Sequence, residues 1–212
     1  GTAGRPPGFP AAKPAGPPVL RGPGEAAFLP GSGEAGLARE AGRRSGGEEQ
    51  AERAFAVCPV LSPHSTLDVL ERGAFVYRQY FIQKWKRSLA EKQRCFPEVY
   101  DLRDILEMDT MTAMTDAMVR RYSEFETLDA YLTGYAIVDG ALADLAVPSH
   151  ALLAADDPII PVRDADRLAK TPFLSVTHSR YGGHCGFLDS FGRESWVNTW
   201  VTRLLESPAA AG

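Results

Sequence analysis

The pattern of apolar and polar positions divides the chain into a first segment without periodicity and a longer part with it. Residues 1–33 show no apolar repeat at helical or strand spacing. Residues 34–44 are rich in Ala, Glu and Arg and predict a short helix. Residues 53–60 form a short apolar run with Pro59 near its end, which is typical of a buried parallel strand. Organised structure is therefore expected from about residue 34 onward.

The middle of the chain, residues 64–145, is predicted to be a mostly helical insertion. Within residues 64–95, Phe81, Trp85 and Leu89 recur at intervals of four and form one apolar stripe on a charged helix, which Pro97 ends. Residues 102–118 and 128–136 predict further helical stretches rich in Met and aromatic residues.

Strands and helices alternate again after this insertion. Residues 149–155 and 173–177 predict strands, and residues 164–170 predict a short helix between them. The last helix is expected over residues 195–206, where Trp196, Trp200 and Leu204 give a wide apolar stripe that should pack on a sheet. This order indicates an α/β fold with a mainly parallel sheet, whose functional groups belong at the carboxyl ends of the strands.

The composition of the first segment changes what is expected of it. Residues 1–50 hold 12 of the 20 glycines, and residues 1–30 hold 8 of the 16 prolines. Such a stretch gains too little from burial to order itself, so residues 1–33 are expected to be a disordered tail or linker. Translation of GC-rich DNA out of frame would give the same composition. Gly1 in place of an initiator Met suggests that the chain begins inside a longer reading frame.

Charge and cysteine usage limit the classes of partner and the compartment. The net charge of −4 argues against a surface that follows nucleic-acid phosphates. We expect no transmembrane segment and no signal peptide, because no long apolar run is present. Three cysteines without a CxxC pair favour a reduced, cytoplasmic setting over a disulfide framework.

Two loops at the predicted carboxyl edge of the sheet carry candidate chemistry. Asp156 and Asp157 directly follow one predicted strand, and His184 follows the next one within a glycine-rich loop. A carboxylate in this position can fix the tautomer of an imidazole, whose other nitrogen then acts as a general base. The alternative is structural, with the two aspartates forming a turn or helix cap and the histidine a surface residue.

Three segments carry a resemblance to a known family, in the order AVCPVLSP, YRQYFIQKWKRSLAEKQRCFP and AADDPIIPV, with YGGHCGFLD and a Trp-rich helix after them. Over roughly residues 35–206 the chain resembles α/β-hydrolases of the YheT-like, embryogenesis-associated type. That resemblance implies a doubly wound sheet, a helical cap over about residues 64–145, and ester hydrolysis by a Ser–Asp–His triad without a cofactor or metal ion. The family's acid maps onto Asp157, with Asp156 as second choice, and its histidine onto His184.

The chain departs from this family pattern at the nucleophile. The expected G-x-S-x-G turn is missing, because Ser32 has Pro30 and Glu34 in place of the flanking glycines, and Ser45 has no strand before it. The segment that donates hydrogen bonds to the oxyanion is absent too. We therefore expect residues 34–212 to be the C-terminal part of a hydrolase domain that has little activity alone.

Other assignments for the same residues remain open. Cys58 and Cys185 are weaker candidates for a nucleophile, and a buried cysteine is usually a small apolar residue. His178, His184 and Cys185 are a weak candidate for a metal site. The Met and aromatic side chains of residues 108–135 are candidates for the lining of an acyl pocket. The simpler alternative is that they pack between helices.

The leading hypothesis is an ester hydrolase acting on a small-molecule or lipid ester, with Asp157 orienting His184. The alternative is a non-catalytic, truncated hydrolase-like protein that serves as a binding module. In either case the strand near residues 53–58 would expose an unpaired edge, so self-association is expected.

Overall fold

The computed structural model of the protein describes residues 52–188 and 195–207. Three strands and six α-helices lie in this part of the chain, in an α/β arrangement. The bounds are β1 Ala54–Val57, α1 Pro63–Arg72, α2 Phe75–Cys95, α3 Arg103–Glu107, α4 Met111–Tyr122, α5 Leu128–Tyr135, β2 Ser149–Ala154, β3 Leu174–Ser179 and α6 Trp196–Glu206. A 3-10 helix, Val162–Arg167, lies between β2 and β3. The predicted helix over residues 34–44 and the segment 1–33 lie outside the described residues.

The strands form one parallel sheet in the order β1–β2–β3. Ala54 pairs with Ser149, and Ser149 pairs in turn with Leu174, so the three strands begin level. The predicted parallel α/β sheet is therefore confirmed at this coarse level. Among the described residues β1 has one strand neighbour, β2, and the unpaired outer edge expected of β1 stays a prediction. Self-association through that edge stays a prediction.

The sheet and α6 enclose the first of two apolar cores. Trp200 is the most buried residue of α6, and its ring meets Phe55 of β1 edge-on with the centroids 6.1 Å apart. Trp196 and Leu204 of the same predicted stripe are partly buried against this core. The fully buried members include Leu61, Leu152, Leu153 and Ile160.

Helices α1 to α5 enclose the second core, which we call the helical cluster. Trp85 and Leu89 of the stripe predicted for α2 are only 2% and 3% exposed, whereas Phe81 is partly buried. The rest of this core comes mainly from α3, α4 and α5 and includes Leu102, Ile105, Met111, Met114, Met118, Tyr131 and Leu132. The helical character predicted for residues 64–145 is present, whereas the assignment of these helices as a cap stays a prediction.

Residues 64–95 are helical as predicted, but they form two helices instead of one, because the chain breaks at Gly73 and Ala74. The N–H of Gly73 caps α1 on the carbonyl of Val69. A Cβ at Gly73 would lie 2.5 Å from that carbonyl oxygen, so only glycine allows this close approach. Ser62 begins α1 as its N-cap, with Pro63 in the first turn.

Three other predicted boundaries also need correction. The stretch 102–118 splits into α3 and α4, because the Thr110 hydroxyl accepts a hydrogen bond from the Ala113 N–H and starts a new helix. The helix predicted over 164–170 is a 3-10 turn that begins at Val162. The second late strand continues through His178 and Ser179, which the sequence placed in a loop, because both pair with β2.

No helix within the described ranges is long and apolar enough to cross a membrane.

Candidate functional site

The candidate site lies where the strands of the parallel sheet end. β2 ends at Ala154, three residues before Asp157, and β3 ends at Ser179, five residues before His184. The Ala155 N–H donates to the Ser179 carbonyl at 2.9 Å, which holds the two strand ends together. The loops after β2 and β3 therefore leave the sheet side by side, as expected for neighbouring parallel strands.

Asp157 and His184 meet in the structure as the sequence predicted. Nδ1 of His184 lies 3.0 Å from Oδ2 of Asp157. The Asp157 side chain is 1% exposed and that of His184 is 37% exposed. The carboxylate is thus inside the protein and the imidazole ring reaches the surface, so Asp157 can orient a ring that remains accessible.

Asp157 is held rigidly by its own backbone surroundings. Its Oδ1 accepts hydrogen bonds from the N–H groups of Ile159 at 2.8 Å and Ile160 at 3.0 Å. Burial by itself raises the pKa of the Asp157 carboxyl, but the hydrogen bonds with His184 and with these two N–H groups outweigh it. The pKa consequently lies below its ordinary value, and the group is a carboxylate at neutral pH.

Asp156, the second choice for the acid, has a different partner. Its Oδ1 accepts a hydrogen bond from the Gly183 N–H at 2.8 Å. Gly183 has a φ of +53°, a conformation that glycine adopts without strain. Asp156 therefore shapes the loop that carries His184, and Asp157 is the residue that contacts the imidazole.

The loop of residues 180–187, which we call the His184 loop, is closed by its own backbone. The Gly182 carbonyl accepts hydrogen bonds from the N–H groups of Gly186 at 3.0 Å and Phe187 at 3.1 Å. A Cβ at Gly182 would lie 2.4 Å from the ring of Phe187, which is 3% exposed and belongs to the sheet core. The absence of a side chain at Gly182 thus lets Phe187 anchor the loop.

Two cysteines approach His184 from different parts of the chain. Cys58 follows β1 and is 1% exposed, whereas Cys185 is on the surface of the His184 loop. The two sulfur atoms and a ring nitrogen of His184 all lie within 4.8 Å of one another. This grouping was not predicted from the sequence, where Cys58 and Cys185 are 127 residues apart. The signal available was that Cys58 also follows a parallel strand, so it belongs to the same sheet edge.

The surroundings of Cys58 argue against the alternative that its thiol is a nucleophile. A side-chain hydrogen bond with Cys185, together with burial, raises the pKa of the Cys58 thiol far above its ordinary range. The thiolate is the reactive form of cysteine, so a buried neutral thiol is a poor nucleophile. Cys58 is therefore a poor candidate for a nucleophile.

Other residues singled out by the sequence are placed elsewhere. His178 pairs with Leu153 inside the sheet and is not a member of the Cys58–His184–Cys185 group. Three methionines lie buried in the helical cluster, namely Met111, Met114 and Met118. Their burial agrees with the alternative that these side chains pack between helices. Ser32 and Ser45 lie outside the described residues.

A hollow of about 450 Å³ lies beside the His184 loop. Asp156, Tyr181, Phe187 and Trp196 contribute to its wall. Neither Asp157 nor His184 lines it, so this hollow does not by itself deliver a substrate to the pair.

No protein-family model matches this chain, and no curated protein matches it.

Proposed function

We propose that this chain supplies the acid and the general base of a serine-type carboxylic ester hydrolase of the α/β-hydrolase kind. The observation that carries the proposal is the 3.0 Å contact between Nδ1 of His184 and Oδ2 of a buried Asp157. In this assignment Asp157 orients His184, and His184 takes the proton from the attacking hydroxyl. The substrate would be a small-molecule or lipid ester.

The physical role of each group follows from its bonds. An ionised Asp157 accepts hydrogen bonds but cannot donate them, so Nδ1 of His184 carries the proton. Nε2 then carries the lone pair that a base requires. When Nε2 takes a proton, the carboxylate stabilises the imidazolium that forms. Base catalysis of this kind contributes about 10²–10⁴-fold to a rate.

Two further features support the hydrolase type over an unrelated histidine–carboxylate pair. The acid and the base follow successive strands of a parallel sheet, in the order expected of this fold. The helices between β1 and β2 stand where the family carries its cap, and we assign that role to α1–α5. The nucleophilic serine would precede β1 in the chain, in a region that the structure does not describe.

Hydrolysis of an activated short-chain ester tests the proposal on the full 212-residue chain. We expect slow release of p-nitrophenol from p-nitrophenyl butyrate above the buffer rate. His184→Ala should lower this rate to that of the buffer, because the base is lost. His178→Ala is the matched control, because His178 lies in the adjoining strand and outside the Asp157 contact, and it should leave the rate unchanged.

The origin of any nucleophile is measured in the same preparation. A fluorophosphonate probe followed by peptide mapping tests whether Ser32 or Ser45, the two serines N-terminal to β1, acts as the nucleophile, and His184→Ala should suppress any labelling found there. A folded chain that shows neither turnover dependent on His184 nor labelling would overturn the proposal. It would favour the alternative of a non-catalytic, hydrolase-like binding module.

A further inference from the structure

Three metal-binding side chains converge at the carboxyl edge of the sheet. Cys58 comes from the end of β1, and His184 and Cys185 come from the His184 loop. Neither cysteine is part of a disulfide among the described residues. One donor atom from each residue lies within 4.8 Å of the other two. Residues far apart in sequence are thus brought together by the parallel pairing of the strands.

We propose that Cys58, His184 and Cys185 form a binding site for a thiophilic divalent metal ion of the Zn²⁺ type. Thiolate and imidazole donors select such ions over Mg²⁺ and Ca²⁺, which prefer oxygen ligands. Two cysteines and one histidine are a donor set that holds zinc while leaving a fourth position for water or another ligand.

The separation of the donor atoms fits an ion between them after a small adjustment. Zinc binds sulfur at about 2.3 Å and nitrogen at about 2.0–2.1 Å, which places the donors of a tetrahedral site roughly 3.5–3.8 Å apart. The observed upper limit of 4.8 Å requires closure by roughly 1.0–1.3 Å at most. Cys185 and His184 are exposed on the loop and can supply that movement, whereas Cys58 is fixed in the core.

Asp157 completes the arrangement from behind the histidine. Metal-binding histidines almost always bond through their second ring nitrogen to a carboxylate, a carbonyl or water, which fixes the ring and the tautomer. Nδ1 of His184 has this bond to Asp157 at 3.0 Å, so we assign Nε2 as the nitrogen that would bind the metal. Asp157 would be a positioning residue for this site and would not itself bind the ion.

Metal binding and base catalysis compete for one atom, Nε2 of His184. A bound Zn²⁺ would occupy the lone pair that the proposed hydrolase uses, so zinc should inhibit turnover. That consequence rests on the proposed function, whereas the metal site itself does not. Binding measured without a substrate therefore distinguishes failure of one assignment from failure of the other.

The test is titration of the full reduced chain with Co²⁺ and then Zn²⁺. We expect one Co²⁺ per chain, a thiolate-to-cobalt charge-transfer band in the near ultraviolet, and its loss when Zn²⁺ displaces cobalt. Cys185→Ser should remove most of the band and weaken Zn²⁺ binding by more than 100-fold, since it deletes a direct ligand. Asp157→Asn should weaken binding by about 10–100-fold, the usual effect of a partner behind a metal ligand.

Cys95→Ser is the matched control, because Cys95 is exposed at the end of α2 and outside the group. It should leave the band and the affinity unchanged. Cys58→Ser should act like Cys185→Ser. If that core variant does not fold, the exposed Cys185 decides the question alone.

The site is refuted if the wild-type chain gives no charge-transfer band. A band that survives Cys185→Ser, or one that disappears with Cys95→Ser, would also overturn the assignment.

Discussion

The helical cluster and the carboxyl edge of the sheet differ in the kind of residue that they bury. In the helical cluster, Trp85, Met114 and Ile105 are almost completely buried and make apolar contacts from all sides. At the carboxyl edge, Asp157 is equally buried but makes three hydrogen bonds, and His184 beside it is partly exposed. The first region gains stability from burial, and the second holds a few polar groups in fixed positions.

The two regions also differ in their backbone φ angles. Cys58, Cys185 and Phe187 at the carboxyl edge have φ values of 45°, 66° and 44°, in the left-handed region that non-glycine residues rarely adopt. Such conformations cost about 1–3 kcal/mol each and persist where the surroundings impose them. The described helices of the cluster contain no such residue. Strain is thus concentrated beside His184, which agrees with the site proposed there.

Truncation of the buried indole in the helical cluster should give the largest change in stability. Trp85→Ala removes a 2% exposed side chain and leaves a cavity, so it should lower the free energy of unfolding by about 3–5 kcal/mol. Urea denaturation followed by circular dichroism measures this loss. The exposed neighbour Gln83 provides the control, because Gln83→Ala should change the midpoint little. Equal effects of the two variants would contradict the packing described for α2.

Removal of the buried charge at the carboxyl edge should have a smaller effect that depends on pH. Asp157→Asn keeps the size of the side chain but loses the ionic partner of His184, so it should cost about 1–3 kcal/mol at neutral pH. The folded pKa of Asp157 lies below its ordinary value. Its contribution is therefore complete above the unfolded pKa of about 4 and is lost as the pH falls through the folded value.

The measurement for this carboxylate is urea denaturation of both chains from pH 7 down to about pH 3, with a chelator present to exclude metal ions. The two stability curves should converge at the acid end. Curves that remain parallel over this range would show that the negative charge of Asp157 does not contribute to the stability of the fold.

The helical cluster contains one polar atom whose removal should raise stability. The hydroxyl of Tyr131 is buried and has no hydrogen-bond partner among the described residues, and burial raises its pKa. Tyr131→Phe keeps the ring contacts with Phe125 and removes this cost, so we expect a gain of about 1–2 kcal/mol. A thermal or urea midpoint checks the sign. A loss of stability would mean that the hydroxyl has a partner in solution.

Loss of a helix cap should be the smallest of these effects and should remain local. Thr110→Ala deletes the hydroxyl that accepts the Ala113 N–H at the start of α4, at a cost of about 1 kcal/mol. Thr110→Ser is the matched control and should retain most of the stability. Hydrogen exchange should increase in the first turn of α4 and stay unchanged in the His184 loop. Faster exchange at the loop would mean that the two regions are coupled.

The fold was predictable wherever burial imposes a period on the sequence. The strands near residues 54–57 and 149–154, the stripe of α2 and the final helix all follow from apolar spacing. The break at Gly73 was missed because the helical period continues across it, and only the close approach to the Val69 carbonyl reveals why the chain turns. The extension of β3 through His178 was missed because pairing with β2, and not apolarity, keeps these residues in the strand.

Some features of the candidate site were predictable from the sequence, and others depended on the tertiary structure. The sequence by itself determined that an acid and a histidine follow successive parallel strands, because strand order fixes which loops share an edge. The resemblance already mapped the acid onto Asp157, and the tertiary structure showed how Asp156 differs, because its carboxylate accepts the Gly183 N–H while that of Asp157 contacts the imidazole. The tertiary structure alone decided that Cys58 joins His184 and Cys185, because their sequence separation exceeds 120 residues. Contacts over such distances arise from strand pairing, which leaves no periodic signal in the sequence.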